Sequence, residues 1–89
     1  MFTYSKNVYL IKIYVYIIRM DIEFYEKLGI NIKRRRKIEK LTQQELADKA
    51  GIGLNFMGKI EVAFSKPSLD TLIDIAKALN TSVSELTKE

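Results

Sequence analysis

The chain has 89 residues, enough for one domain with a modest core. It contains neither cysteine nor histidine, which excludes disulfide scaffolds, thiolate or imidazole metal sites and histidine-based catalysis. The net charge is +4, but residues 33–40 hold six basic side chains and one acid, so positive charge is concentrated in one stretch. Such a stretch is typical either of a surface that binds a polyanion or of a solvated helix face.

Residues 1–19 are rich in β-branched and aromatic side chains. The apolar run is too short to span a bilayer and lacks the small-residue cleavage site of a signal peptide. An alternating pattern favours a strand, which would have to pair with a second copy. The residues on one face of that strand are Ile11, Ile13, Val15 and Ile17. Two other interpretations stay open: an added helix, or an upstream extension absent from a working protein that begins at Met20.

A helical pattern follows over residues 21–40, with Asp21 as a candidate N-cap. Its apolar face consists of Phe24, Leu28 and Ile32. Gly29 lies inside this helix, where glycine costs about 1 kcal/mol relative to alanine. Its presence indicates either close packing at this position or a helix that begins later.

Residues 42–61 are predicted to form two short helices joined by a tight turn. Thr42 and Glu45 have the spacing of a capping box, and Gly51 suits the left-handed residue that ends a helix. Ala47 supplies the small side chain that is needed where the second helix crosses the first. The apolar positions of the pair are Leu46, Ala47, Ala50, Ile52, Met57 and Ile60.

Two further helices are predicted after the proline of the chain. Pro67 and Ser68 form a start signal before an amphipathic run that stops near Asn80. Ser82 and Glu85 repeat the capping box and open a last short helix. The sequence therefore predicts an all-α chain of five helices with short connections.

The stretch from about Gly29 to Lys88 resembles the lambda-repressor-like, Xre-type helix-turn-helix domains of bacterial and phage DNA-binding regulators. The matching motifs are Gly29-x-x-Ile32-Lys33-x-x-Arg36, Leu41-Thr42-Gln43, Glu45-Leu46-Ala47-x-x-Ala50-Gly51-Ile52, Lys59-Ile60-Glu61, Pro67-Ser68-Leu69-x-Thr71-Leu72, Ile75-Ala76-x-Ala78-Leu79 and Ser82-x-Ser84-Glu85-Leu86. The resemblance implies a compact five-helix DNA-binding domain over residues 20–89, preceded by an apolar N-terminal extension, residues 1–19.

The resemblance also implies the DNA-contacting residues. The helix from about Leu54 to Val62 would lie in the major groove, with its first residues facing base edges. The implied base-contacting residues are Leu54, Asn55 and Lys59, and the implied DNA backbone-contacting residues are Gln43, Thr42, Lys33 and Lys40. Each has a plainer interpretation, since Gln43 suits any first helical turn and Lys59 suits any solvated surface.

One basic residue has a structural role in this family. Arg36 matches a position that forms a semi-buried ion pair with the residue equivalent to Glu61, which would tie the first helix to the end of the third. The chain departs from the family just beyond that glutamate, where Glu-Arg-Gly is common and Glu61-Val62-Ala63 occurs here. We expect this change to remove a phosphate contact and to alter the end of the helix.

The function implied is sequence-specific DNA binding by a transcriptional regulator, a repressor or autoregulator that binds palindromic double-stranded operators as a homodimer. The expected dimer surface is Leu79, Val83 and Leu86. We expect no catalysis, cofactor, metal or small-molecule ligand domain and no membrane association, and the missing cysteines fit the cytoplasm. The alternatives are an antitoxin or restriction-controller regulator with a protein partner, and a protein or membrane interaction module.

Overall fold

The computed structural model describes residues 4–89, with side chains from residue 7 onwards. Within these residues the fold consists of α-helices joined by short connections. They are α1 (Tyr4–Ile38), α2 (Gln43–Ala50), α3 (Leu54–Glu61), α4 (Leu69–Ala78) and α5 (Val83–Leu86). The all-α prediction is confirmed, and the five predicted helices occur in the predicted order.

The predicted strand in the first 19 residues is wrong for the residues that the structure describes. Residues 4–19 are the first turns of α1, which continues across residues 19 and 20 without a break. A lone strand leaves its backbone groups unpaired, whereas a helix pairs them within its own segment. β-Branched residues lower helix propensity by only tenths of a kcal/mol each, so backbone pairing outweighs their preference. Residues 1–3 of that prediction lie outside the described residues.

The core lies between the second half of α1 and the four shorter helices. All of its apolar side chains are at most 7% exposed. They are Leu28, Ile32, Leu46, Ala47, Ala50, Met57, Ile60, Leu72, Ile75, Ala76, Leu79 and Leu86. Phe24, predicted on the inward face of the first helix, is instead 39% exposed and packs edge-on against Tyr25. The packed part of α1 therefore begins one turn later than its apolar pattern predicted.

Gly29 is the point where α1 and α3 meet most closely. A Cβ built on Gly29 would lie 2.4 Å from the Glu61 carbonyl oxygen and 2.8 Å from the Ile60 carbonyl oxygen. Any side chain at this position would force the two backbones apart. Of the two interpretations of Gly29, close packing is therefore correct.

The predicted capping signals are present at the start of α2. The Glu45 N–H donates to the Thr42 hydroxyl at 3.0 Å, and the Thr42 N–H donates to the Glu45 carboxylate at 2.8 Å. The hydrogen bond from the Thr42 backbone lowers the pKa of Glu45. At the other end of α2, Gly51 adopts the left-handed conformation with φ 73°. Both ends of this helix are thus fixed by the residues that the sequence assigned to them.

Two of the three residues expected at the dimer surface are buried within the monomer. Leu79 is fully buried and Leu86 is 2% exposed, both in the core, and Val83 packs against the same core. The chain after α4 folds back onto α1, where the Asn31 side chain donates to the Leu86 carbonyl oxygen at 3.0 Å. Leu79 and Leu86 therefore contribute to the core of the monomer, whereas Val83 stays partly exposed.

Membrane crossing finds no support in the helices of residues 4–89, none of which is long and apolar enough to traverse a bilayer.

Candidate nucleic-acid interface

The exposed side of α3 is the centre of the candidate site. Met57 and Ile60 point into the core and are at most 1% exposed. On the opposite side Leu54 is 41% exposed, and Asn55 and Lys59 are also exposed. The three side chains expected to contact bases therefore share the solvent side of one short helix.

A shallow concavity runs along this side of α3. It is lined by Gln43, Leu54, Asn55, Gly58, Lys59, Val62 and Phe64. Gly58 leaves room at its centre, since a Cβ built there would lie 3.7 Å from the Gln43 side-chain oxygen. The N-terminus of α2 thus forms one wall of the concavity and the exposed row of α3 forms its floor.

The end of α3 is fixed to α1 by a buried ion pair. The Arg36 guanidinium donates to both Glu61 carboxylate oxygens, at 2.7 and 3.0 Å, and to the Leu41 carbonyl oxygen at 3.0 Å. Arg36 is 8% exposed and Glu61 is 6% exposed. A bidentate pair with its remaining hydrogen bonds satisfied holds a rigid geometry, so α3 has little freedom to turn against α1.

Gln43 belongs to the same hydrogen-bonded group. Its side-chain N–H donates to a Glu61 carboxylate oxygen at 2.9 Å, which leaves the second N–H of that amide for another acceptor. Thr42, the neighbouring residue expected at the DNA backbone, uses its hydroxyl as the cap of α2. A hydroxyl that accepts one hydrogen bond can still donate its own proton to a phosphate oxygen.

The basic stretch divides into three kinds of residue. Arg35 stabilises the end of α4 by donating to the Leu79 and Asn80 carbonyl oxygens, both at 3.1 Å. Arg36 belongs to the buried pair. Lys33, Arg34, Lys37 and Lys40 are exposed and form no ion pair among the described residues, although Arg34 donates to the Asn31 side-chain oxygen. The cationic side chains free to meet a polyanion are therefore these three lysines and Arg34.

Two of these lysines adjoin the contact between α1 and α3. Lys33 and Lys37 are one helical turn apart on α1 and are close in sequence to Gly29 and Arg36, the two positions of α1 that contact the end of α3. Lys40 immediately precedes α2 and has a positive φ of 59°. Positive charge therefore lies along α1 near the end of α3 and before the start of α2.

Two exposed apolar residues of the concavity were missed by the sequence reasoning. Val62 is 73% exposed and Phe64 is 77% exposed, directly after α3. The Lys59 ammonium lies 5.9 Å from the centre of the Phe64 ring. The signal was an aromatic residue in the short connection after α3, which the comparison with Glu-Arg-Gly treated only as the loss of a contact.

The end of α3 keeps the conformation for which glycine is best suited. Ala63 has a φ of 62°, and the Phe64 N–H donates to the Lys59 carbonyl oxygen at 2.7 Å. This left-handed residue closes the helix although it carries a Cβ. Hydrogen bonds at the end of the helix thus hold Ala63 in the left-handed region although it is not a glycine.

Comparisons with known proteins agree with this geometry. The family model HTH_3, described as Helix-turn-helix, matches residues 32–86. The control protein C.SmaI of Serratia marcescens is 42% identical over 67 residues, which are 75% of this chain and 77% of that protein. Six further curated relatives, named as repressors or transcriptional regulators, match over 41–54% of their own length.

Solved structures give the same result. The restriction-modification controller protein C.AhdI of Aeromonas hydrophila superposes with a TM-score of 0.68 and 27% identity, covering 70% of this chain and 94% of that one. The N-terminal DNA-binding domain of SinR from Bacillus subtilis superposes with a TM-score of 0.68 and 32% identity, covering 72% of this chain and 94% of that one. The matched region corresponds to the packed domain.

Proposed function

The chain belongs to the helix-turn-helix family HTH_3 and is a DNA-binding transcriptional regulator, and we propose that it represses transcription, its own included, as a homodimer on palindromic operators. The observation that carries the proposal is the row of exposed side chains on α3, a helix whose opposite face is buried and whose end is held by an ion pair. Binding to DNA in the cytoplasm, not catalysis, is the proposed activity.

Base recognition is assigned to the exposed row of α3. In the major groove the Asn55 amide can pair with the N6 and N7 edge of adenine, and the Lys59 ammonium can donate to guanine. Leu54 can pack on a thymine methyl group. The rigid link between α3 and α1 supports this assignment, because readout of base edges requires a helix held in one orientation.

Contacts with the DNA backbone are assigned to residues beside that row. The free amide proton of Gln43 and the hydroxyl of Thr42 lie at the N-terminus of α2, where phosphate binding is favoured by the helix dipole. Lys33 and Lys40 add the sequence-independent part of the affinity, which falls as salt rises. We extend this role to Lys37, which is exposed on the same side of α1 as Lys33.

The homodimer is proposed because α3, the helix assigned to base recognition, is short. The row on α3 spans only eight residues, which contact few base pairs. Regulators that use such a helix gain affinity and specificity from two copies on half-sites about one helical turn apart. A two-fold protein then matches an inverted repeat in the operator.

A controller of a restriction–modification system is the second candidate. Its support is the similarity to C.SmaI and C.AhdI, which this chain covers over 77% and 94% of their lengths. A reporter placed behind the DNA upstream of the gene separates the two functions. Expression that only falls as the protein is supplied indicates a repressor, whereas expression that first rises indicates a controller that also activates.

The test of the proposed interface is a footprint on the DNA around the gene. Asn55→Ala and Lys59→Ala are each expected to weaken binding about tenfold, since one good side-chain pair with a base contributes about 1–3 kcal/mol. Lys77→Ala, an exposed lysine at the far end of α4, is the matched control and is expected to bind like the parent. If both α3 variants protect the same DNA at the same concentration as the parent, the assigned face is wrong.

A further inference from the structure

The first part of α1 is an exposed apolar surface that the domain does not cover. We name residues 7–24 the N-terminal arm. Every side chain of the arm except Asp21 is exposed. The arm makes the molecule elongated, with extents of 59 × 23 × 19 Å. An exposed patch of this size on a soluble protein marks an interaction site.

One face of the arm has the spacing of a helix-pairing seam. Its apolar residues alternate three and four positions apart along the chain. They are Val8, Ile11, Val15, Ile18 and Ile22. Tyr25 continues the spacing where the arm joins the domain, and it packs against the core. A sustained three-four spacing of β-branched residues is what one helix presents to another helix.

The polar stripe of the arm carries both signs of charge. Lys12 and Arg19 lie on it toward the N-terminus, and Glu23 and Glu26 follow toward the domain. A helix that binds an anionic lipid surface has a predominantly basic polar face. The mixed charges favour a protein occupant over a membrane.

We propose that two copies of this chain pair through their N-terminal arms, with the seam of one against the seam of the other. This inference rests on the proposed function, because a palindromic operator requires two copies and the apolar face of α4 and α5 is buried in the monomer. The seam can pack against the same seam of a second copy, because a two-fold interface uses the same patch of both copies.

The exposed area of the seam reaches the range of a specific interface. Six apolar side chains on the seam and its edge are 36–69% exposed. They are Val8, Ile11, Tyr14, Val15, Ile18 and Ile22. Together they offer on the order of 500 Å² per copy, so that a pair would bury about 1,000 Å², the lower end for a specific interface.

Pairing through the arm would also fix the orientation of the two copies of α3 relative to each other. The arm is continuous with the part of α1 whose Gly29 touches the α3 backbone and whose Arg36 binds Glu61. No flexible connection separates the seam from α3 along this path. The geometry of the arm pair therefore determines the spacing and direction of the two copies of α3.

The test uses the full chain and sedimentation in the absence of DNA. The parent is expected to sediment at twice the 10.3 kDa mass of one chain. The variant Ile11→Lys/Ile18→Lys places two charges on the seam and is expected to sediment as a monomer. Tyr9→Lys/Tyr16→Lys adds the same charges on the polar stripe and is expected to remain a dimer. Circular dichroism melting of both variants checks that the domain is folded.

Three results would overturn the inference. They are a parent that sediments as a monomer, a folded seam variant that remains a dimer, and an aggregate larger than a dimer in both the parent and the stripe variant. If a monomeric parent binds vesicles of phosphatidylcholine and phosphatidylglycerol, the occupant of the arm is a lipid surface instead of a second copy.

DNA binding separates failure of this inference from failure of the proposed function. The seam variant is expected to bind a single half-site like the parent and to bind the inverted repeat about 100-fold more weakly, because the gain from two linked sites is lost. A folded seam variant that stays a dimer and binds the inverted repeat like the parent would contradict only the arm pairing. Absence of DNA binding by a parent that is dimeric would contradict only the proposed function.

Discussion

The two halves of α1 have the same secondary structure and opposite surroundings. Ile32, in the packed half, is fully buried, whereas Ile13, in the N-terminal arm, is 53% exposed. The packed half is covered by α3 and α5, whereas the apolar side chains of the arm are exposed. Helix formation is therefore not what distinguishes them. The difference is whether an apolar face has a partner, and that gives each half a different role.

Charged groups show the same contrast. In the domain Arg36 and Glu61 form a buried pair in which each side-chain nitrogen and oxygen has a hydrogen-bond partner. Where the arm meets the domain the contacts are exposed: Lys66 binds Asp21, and this partner raises the pKa of Lys66. Exposed pairs contribute little to stability, whereas loss of one member of a buried pair leaves a charge unsatisfied.

The largest effect is expected from Arg36→Ala, which tests the packed side of this contrast. Removing the guanidinium leaves the Glu61 carboxylate buried without its partner, so the free energy of unfolding should fall by about 3–5 kcal/mol. Urea unfolding followed by circular dichroism measures it. Arg34→Ala is the matched control and should change stability by less than about 0.5 kcal/mol, because Arg34 is exposed. Equal changes in the free energy of unfolding for the two substitutions would show that the Arg36–Glu61 pair does not stabilise the fold.

Truncation of the same residue type in the two halves of α1 tests the comparison directly. Ile32→Ala should lower the free energy of unfolding by about 3 kcal/mol, since it opens a cavity in the core. Ile13→Ala, outside the pairing seam, should change it by less than about 0.5 kcal/mol. Both are read from urea unfolding curves of the full chain. A cost for Ile13→Ala equal to that for Ile32→Ala would mean that the arm is packed in solution.

Gly29→Ala tests the contact between α1 and α3. A methyl group there meets the Glu61 backbone, which cannot move aside as a side chain would, so we expect a loss of about 2–3 kcal/mol. In Gly58→Ala the added Cβ has ordinary contacts, and better helix propensity should raise stability by up to about 1 kcal/mol. In thermal melting we expect the melting temperature to fall for Gly29→Ala and to rise for Gly58→Ala. A higher melting temperature for Gly29→Ala would contradict the close approach of α1 to the α3 backbone.

The smallest effect is a gain in stability at the end of α3. Ala63 adopts a left-handed conformation that costs an L-residue about 1–2 kcal/mol, so Ala63→Gly should raise the free energy of unfolding by about 1 kcal/mol. Asn80, with a φ of 55°, is the comparison site. Asparagine tolerates this region, so Asn80→Gly should raise the free energy of unfolding less than Ala63→Gly does. A larger gain at Asn80 than at Ala63 would show that backbone strain is not the cause.

Much of the domain could be predicted from local patterns. Thr42 and Glu45 form the predicted capping box, Gly51 ends α2, and Ala47 is fully buried. Each of these depends on residues within a few positions of one another. The partner of Arg36, which lies 25 residues away, was available only through resemblance to a family. Phe64 was missed although Lys59 is only five residues away, because the comparison with Glu-Arg-Gly treated the connection after α3 only as the loss of a contact.

The sequence by itself determined the order of the helices, most of their ends and the family, since hydrogen bonding at caps and the spacing of apolar residues are local. Only the tertiary structure determined which side chains are buried and which are exposed. It placed Leu79 and Leu86 in the core, and for residues 4–19 it selected a helix continuous with α1, where the sequence left a strand, an added helix and an upstream extension open. The physical reason is that burial depends on which surfaces meet in space, and residues far apart in the chain determine that.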